Sequence, residues 1–215
     1  LVNAISALQN IKLSKHRIAE IASKIEVDIL KRPMGRQDHY ASCFGGINKI
    51  TFKKSKILVK PLIKNEKFLE IVKNNFFLFY TNMRRDSSDV LKKQLNINKK
   101  QEVVLCKMRD QVDQIESLIE KKKDLSEIGN ILDQGWSLKR SISSKISNSK
   151  IEKYYNLAIK NGSLGGKLCG AGGGGFLLIF IPKNKKKKIL NVLNNLFRLN
   201  FNLEFKGTQI THNSK

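Results

Sequence analysis

Between positions 35 and 48 the chain reads GRQDHYASCFGGIN, and one carboxylate, Asp38, stands there among turn-forming residues. A carboxylate in such a loop can face a pocket, where it can take the proton of a substrate hydroxyl or orient the oxygen during phosphoryl transfer. Arg36, two positions earlier, is spaced to hold Asp38 ionised and to grip phosphate. An Asp that caps a turn through its own backbone is the other reading of these residues. A second constellation is Gly170-Ala171-Gly172-Gly173-Gly174-Gly175, set between two apolar segments. Without Cβ atoms in the way, backbone N–H groups of such a loop can approach an anion. The run has no Gly-Lys-Ser/Thr ending and does not follow a first strand into a helix, so it is neither a P-loop nor a dinucleotide fingerprint. A tight hairpin with close-packed backbone is the alternative. Glu26 interrupts an apolar helical face between Ile25 and Ile29, where it can point inward and hold Mg²⁺ or face water at the boundary. Arg84, Arg85, Lys139 and Arg140 form a basic set suited to a second phosphate or to a solvated charged face.

These residues need elements to position them. Leu1, Ala4, Ile5 and Leu8 fall at helical spacing, and Ser14 is placed to cap a helix whose apolar face runs through Ile18, Ile21, Ala22, Ile25, Ile29 and Leu30 until Pro33 and Gly35 end it. The stretch 42–62 alternates and predicts a hairpin with its turn at 54–56, and Phe76–Thr81 (FFLFYT) predicts a buried strand. Helices are predicted around Val90–Leu95, Leu105–Ile119, Leu125–Trp136 with Asp124 and Glu127 in a capping box, and Ser149–Ile159 with Gly162 as stop. The last quarter predicts a strand over 164–169, the glycine loop, a strand over 176–181, a helix through Ile189–Phe197 and a closing strand over 201–205. Antiparallel strands with segregated helices make the fold class α+β.

Composition narrows the function classes. With 215 residues and 40% hydrophobic content the chain can build a packed core. No apolar run approaches the roughly 20 residues of a membrane-spanning helix. Cys43, Cys106 and Cys169 are scattered and lack metal-ligand spacing, which suits a reducing cytoplasm better than a disulfide framework or zinc site. The charge of +23 is mostly Lys spread over every segment, densest at Lys183–Lys188. Nucleic-acid readers lean on Arg and stacking aromatics within recognisable motifs, none of which stands here, so no nucleic-acid partner is expected.

Taken together, three separated stretches resemble one family. GRQDHYASCFGGIN resembles the GKQDQYAAAFGGxN segment of the GHMP sugar kinases, FYTNMRRDSSDVL their FYTGxxRxAxxIL segment, and SLGGKLCGAGGGGFLLIF their third motif, GGKLLGAGGGGFLLF. WSLKRSIS is similar to a W-x-x-K-x-S-L-S stretch of the heptose 7-phosphate kinase branch, whose members phosphorylate the anomeric oxygen. The resemblance implies the GHMP kinase fold: a remnant of an N-terminal ATP-binding domain over 1–64 and a ferredoxin-like C-terminal domain over 65–215. It implies an ATP-dependent kinase using Mg²⁺ on a small sugar phosphate, in the cytoplasm. Asp38 matches the aspartate that acts as base or orienting group, Glu26 the glutamate that binds Mg²⁺, and Gly170 to Gly175 the loop that approaches phosphates. Arg36, Gln37, Arg84, Gly172 and Gly173 stand at substrate-binding positions. His39 replaces the family's Gln, and Asn82 replaces a Gly. The family's P-x-G-x-G-L-G-S-S-S nucleotide loop is expected immediately before Leu1, LVNAISAL resembling the helix that follows it, so the sequence reads as an N-terminally truncated, inactive kinase. Another GHMP kinase, of galactose, fucose or mevalonate type, is the near alternative. A non-catalytic polyanion-binding protein is the distant one.

Overall fold

The Ser14 hydroxyl accepts a hydrogen bond from the Arg17 amide at 3.2 Å and so starts the first long helix as its sequence predicts, in a computed structural model that describes residues 1–62, 66–83, 98–121 and 124–211. The chain forms two compact units, one of residues 1–64 with 202–215 and one of residues 65–201.

In the first unit, helices α1 (Val2–Leu8), α2 (Lys15–Ser23) and α3 (Gln37–Phe44) accompany an antiparallel hairpin of β1 (Asn48–Phe52) and β2 (Ile57–Pro61). Ile18, Ala19, Tyr40 and Cys43 are its buried centre, with Leu13, Ile50 and Val59 packed around them. The predicted apolar face of α2 does not persist. After Ser23 the backbone widens into a π-helical turn over Lys24–Ile29, closed by a bond from Leu30 N to Ile25 O at 2.9 Å. The extra residue per turn rotates the following side chains off the buried face, leaving Ile25 39%, Ile29 63% and Leu30 56% exposed. Residues 42–44 also differ from expectation, being the end of α3 and not part of the hairpin.

Residues 201–205, expected as a strand, are irregular. The Glu204 carboxylate accepts from the amides of Lys206 and Gly207, which bends the chain into a turn. Gly207, at φ +65°, then brings its backbone against Cys43, and Thr208 N bonds Cys43 O at 3.2 Å.

The second unit is built on a four-stranded antiparallel sheet, in order β4 (Gly165–Leu168), β5 (Phe176–Phe180), β3 (Phe76–Tyr80) and β6 (Phe197–Leu199). Phe79 pairs with Leu177 and Gly166 with Ile179, so alternate residues of the apolar runs are buried on one face. Its α-helices among the described residues are α4 (Glu66–Asn75), α5 (Lys99–Glu120), α6 (Glu127–Ile142), α7 (Ser149–Lys160) and α8 (Lys186–Val192). Trp136, Ile146, Ile151, Tyr155, Leu168, Ile179 and Leu193 join the sheet in one core. Helix α6 lies close on β4: a Cβ on Gly165 would stand 2.0 Å from the Gly129 carbonyl.

The expected capping box at Asp124 and Glu127 is not formed. Asp124 accepts instead from Ser126 N at 2.9 Å, a turn two residues long, and α6 begins after it. A complete capping box joins Asn98 and Gln101 at the start of α5. Phe197, expected on the last helix, pairs with Tyr80 in β6. The helix expected around Val90–Leu95 lies outside the described residues. Among the described residues no helix is long and apolar enough to cross a membrane.

Candidate functional site

The first set of candidate residues surrounds a cavity of about 580 Å³ within the first unit, walled by apolar side chains of α1, α2, the π turn and the segment after it, among them Val2, Ile18, Ala22, Ile25, Leu30 and Met34, and opened to chemistry by Glu26, Asp38, His39 and Ser42. Helix α3 supplies three of those four. Asp38 sits on its first turn, exposed, where the unpaired amides of a helix start favour a carboxylate, and not in the loop that its neighbours suggest.

The π turn supplies Glu26. Its Oε2 lies 2.8 Å from His39 Nε2, and its Oε1 lies 3.6 Å from the Arg32 guanidinium. A carboxylate accepts, so the arrangement puts a ring proton on Nε2. That Nδ1 is buried and has no hydrogen-bond partner among the described residues. The replacement of the family's Gln by His39 thus creates a carboxylate–imidazole pair on the cavity wall, which residue types at a separation of thirteen positions do not disclose.

Arg36 does not pair with Asp38. Its Nη2 donates to Asp28 Oδ1 at 2.6 Å and its Nη1 to Ser23 Oγ at 3.3 Å. The Arg36 hydrogen bond, together with its charge, holds the Asp28 carboxyl below the usual carboxylate range. Arg36 therefore fastens the π turn to the start of α3, and the reading in which it keeps Asp38 ionised is corrected. Gln37 is exposed on the first turn of α3. Burial raises the Cys43 thiol above its ordinary value, which leaves it inert beneath the cavity.

The glycine loop belongs to the second unit, where it joins β4 to β5. Gly170, Gly172, Gly173 and Gly175 all adopt positive φ, from +76° to +120°. Two of its amides are already committed: Gly173 N bonds Ile146 O at 2.8 Å and Gly175 N bonds Met83 O at 3.0 Å. The amides of Gly170, Ala171, Gly172 and Gly174 have no partner among the described residues. Backbone crowding accounts for two further positions, since a Cβ on Gly172 would stand 2.9 Å from Ile146 and one on Gly174 2.5 Å from the Met83 carbonyl. Gly173, expected to free its N–H for phosphate, instead spends it on the segment before α7.

That segment is held by a buttress. Arg140 lies over the rings of Trp136 and Tyr155 at 5.6 and 5.8 Å and pairs with Glu152, which also accepts from Ser147. Lys139, its neighbour on α6, turns the other way and donates to the Gly170 carbonyl at 2.6 Å. Arg84 and Arg85 lie outside the described residues. No signal in the sequence pointed to Ile146 or Glu152, whose contribution is made through backbone and through partners far along the chain.

Comparison with known proteins agrees with this architecture. Residues 111–199 match the family described as GHMP kinases C terminal. The D-glycero-alpha-D-manno-heptose 7-phosphate kinase of Campylobacter jejuni is 34% identical over 198 residues, covering 90% of this chain and 58% of the relative. The mevalonate kinase of Methanocaldococcus jannaschii is 24% identical over 196 residues, again 90% of this chain and 58% of the relative. A crystal structure described as a candidate sugar kinase from Campylobacter jejuni superposes with a TM-score of 0.73 at 27% identity, covering 95% of this chain and 60% of that one. The chain thus spans somewhat over half the length of the relatives it matches. It has their α+β fold, and over residues 111–199 it matches the C-terminal domain of the GHMP kinases.

Proposed function

We propose that the protein serves as an ATP-dependent phosphotransferase whose acceptor is a sugar phosphate, a heptose 7-phosphate phosphorylated at its anomeric oxygen. The observation that carries this reading is Asp38, a carboxylate on the first turn of α3 that lines the cavity and that none of the described residues engages. Such a group is available to an incoming hydroxyl. The identity of 34% with a heptose 7-phosphate kinase along 90% of the chain supports the choice of sugar.

In this reading Asp38 accepts the proton of the attacking hydroxyl or orients it, and catalysis is positioning and electrostatics without a covalent enzyme intermediate. Kinases hold Mg²⁺ through one or two carboxylates together with substrate phosphates and water. Glu26, a carboxylate on the wall of the same cavity with its orientation fixed by His39, fits that need. When bound, Mg²⁺ would neutralise charge on the transferred phosphoryl group. Arg36 keeps Glu26 and Asp38 in place by tying the π turn to α3. In the second unit the unbonded amides of the glycine loop are suited to phosphate oxygens. Gln37 and Arg84 remain substrate-side candidates by their match to the family's motifs.

The 215 residues hold no P-x-G-x-G-L-G-S-S-S run, so by themselves they are expected to bind Mg-ATP negligibly and to transfer no phosphate. Calorimetry with Mg-ATP on this polypeptide checks that expectation, and micromolar binding would put the nucleotide site elsewhere. The test of function itself joins the chain to a family nucleotide loop and offers ATP with heptose 7-phosphate, galactose or mevalonate. Phosphorylation of the heptose ester ahead of the other two is the expected result, and preference for mevalonate would transfer the assignment to that branch.

A further inference from the structure

A strap from the far end of the sequence forms part of the cavity wall in the first unit. Glu204 O accepts from Gly46 N at 2.5 Å and Thr208 N donates to Cys43 O at 3.2 Å, so the strap lies along the end of α3. Lys15, at the start of α2, ties it down a second time, donating to Phe44 O at 3.2 Å and to Lys206 O at 2.5 Å. A side chain on Gly207 is excluded, since a Cβ there would stand 2.2 Å from the Cys43 carbonyl. These bonds bring one side chain, Thr208, to the cavity, where its Oγ1 accepts from Asn3 Nδ2 of α1 at 3.1 Å. A hydroxyl that accepts still has its own proton to donate, and the Asn3 amide oxygen still has lone pairs to receive one. Neither group has a further partner among the described residues.

The charge of the cavity decides what this pair can meet. Glu26 and Asp38 line it, and among the described residues no lysine or arginine side chain does. Arg36 pairs with Asp28, and Arg32 approaches only the Glu26 carboxylate. Without a metal, a phosphoester inside would meet two carboxylates and no lysine or arginine. The Ser42 hydroxyl gives its proton to Asp38 O at 2.7 Å, so acceptors outnumber donors along the wall. A neutral group rich in hydroxyls suits such a surface. It donates to the carboxylates, exchanges hydrogen bonds with Asn3 and Thr208, and lays its C–H faces on the apolar wall. We propose that Asn3 and Thr208 bind the uncharged polyol portion of a sugar in this cavity, which takes the sugar by its hydroxyl end and leaves the sugar's own phosphate outside. The inference rests on the reading of this cavity as the site of the sugar, and it adds the direction in which the sugar enters.

The test needs neither nucleotide nor turnover, so its failure is distinct from a failure of the kinase reading. The 215-residue chain, labelled with ¹⁵N and kept free of metal, is titrated with the free heptose, with its 7-phosphate and with inorganic phosphate. The amides of Ser42, Cys43 and Thr208 should shift saturably with both sugars and stay still with phosphate, while Thr51, on β1, moves with none of them. Thr208→Val keeps the backbone bonds of the strap and the shape of the side chain but removes the hydroxyl. Heptose binding, read at Ser42, should then weaken by about three- to tenfold, the loss of one hydrogen bond. Thr208→Ser keeps the hydroxyl and should bind as the unsubstituted chain does, and Asn3→Leu should weaken binding as Thr208→Val does. Unmoved Ser42, Cys43 and Thr208 resonances with the free heptose overturn the proposal whatever the variants do. A saturable shift of the same resonances by inorganic phosphate also overturns it, by putting the phosphate inside. Binding by Thr208→Val and Asn3→Leu as tight as by Thr208→Ser reduces the pair to a contact that holds the strap, and overturns its role in binding.

Discussion

Asp38 is exposed at the start of a helix and lies on a cavity wall, and those two facts separate its chemical role from its structural one. Asp38→Asn removes a charge favoured by the helix start, which costs about 0.3–1 kcal/mol of stability, a small fall in the thermal midpoint. In the chain joined to a family nucleotide loop, the same change should lower turnover by about 10²- to 10⁴-fold while the sugar KM moves far less. A turnover change below about threefold would leave Asp38 only its place at the helix start. The sequence made Asp38 visible through its motif but hid its setting. Residues 37–44 include Asp, His, Tyr, Ser and Cys, all modest helix formers, so propensity alone points to a loop; the tertiary contacts of Tyr40 and Cys43 decide for a helix. The partner of Arg36 was hidden for a similar reason. Asp28 comes within reach only because the π turn displaces it, and residue spacing read at 3.6 per turn cannot anticipate that.

At the scale of elements, the glycine loop and the segment before α7 form one structural unit through Gly173 and Ile146, and the glycines should differ in what they tolerate. Gly172→Ala and Gly174→Ala drive a Cβ into backbone and should cost more than Gly170→Ala, where open space leaves only the left-handed strain of about 1–2 kcal/mol. Chemical denaturation of the three variants checks the order, and equal losses would mean that the loop relaxes freely. Arg140→Met should leave Glu152 without its cation, cost on the order of 1–3 kcal/mol, and speed amide exchange at Gly173. Unchanged exchange there would disconnect the buttress from the loop. A pH experiment isolates Lys139. Its native value near 8 lies below its ordinary 10.5, so the folded chain binds fewer protons between those values and gains stability as pH rises through them. Compared with Lys139→Met, the unsubstituted chain should therefore gain stability from pH 8 to about 10.5, and a difference flat with pH would show Lys139 to be freely solvated. Strands β3, β4 and β5, the hairpin and the Ser14 cap were legible because period and capping are local properties. The end of the chain was not, since alternation at 201–205 yields to a turn made by Glu204 and to docking against Cys43, a contact far away in sequence.

For the whole molecule, four ordered motifs carry more than any single one, because each alone admits a structural reading. Together they fix an α+β fold that the TM-score of 0.73 over 95% of the chain bears out. The charge of +23 did not bear on the fold at all; among the described residues its lysines lie mostly on exposed faces, and Lys139, which reaches the Gly170 carbonyl, is one of the few that are partly buried. In the proposed reaction Asp38 accepts the proton of a sugar-phosphate hydroxyl or orients it. The most direct test follows ³¹P resonances while the chain, joined to a family nucleotide loop, is incubated with ATP, Mg²⁺ and heptose 7-phosphate, with and without Asp38→Asn. A new anomeric phosphate resonance is expected, which the Asp38→Asn protein forms at least about a hundredfold more slowly. Formation of that resonance at the same rate in both proteins, or no transfer by a protein shown to bind ATP and the sugar ester, would contradict the proposed reaction.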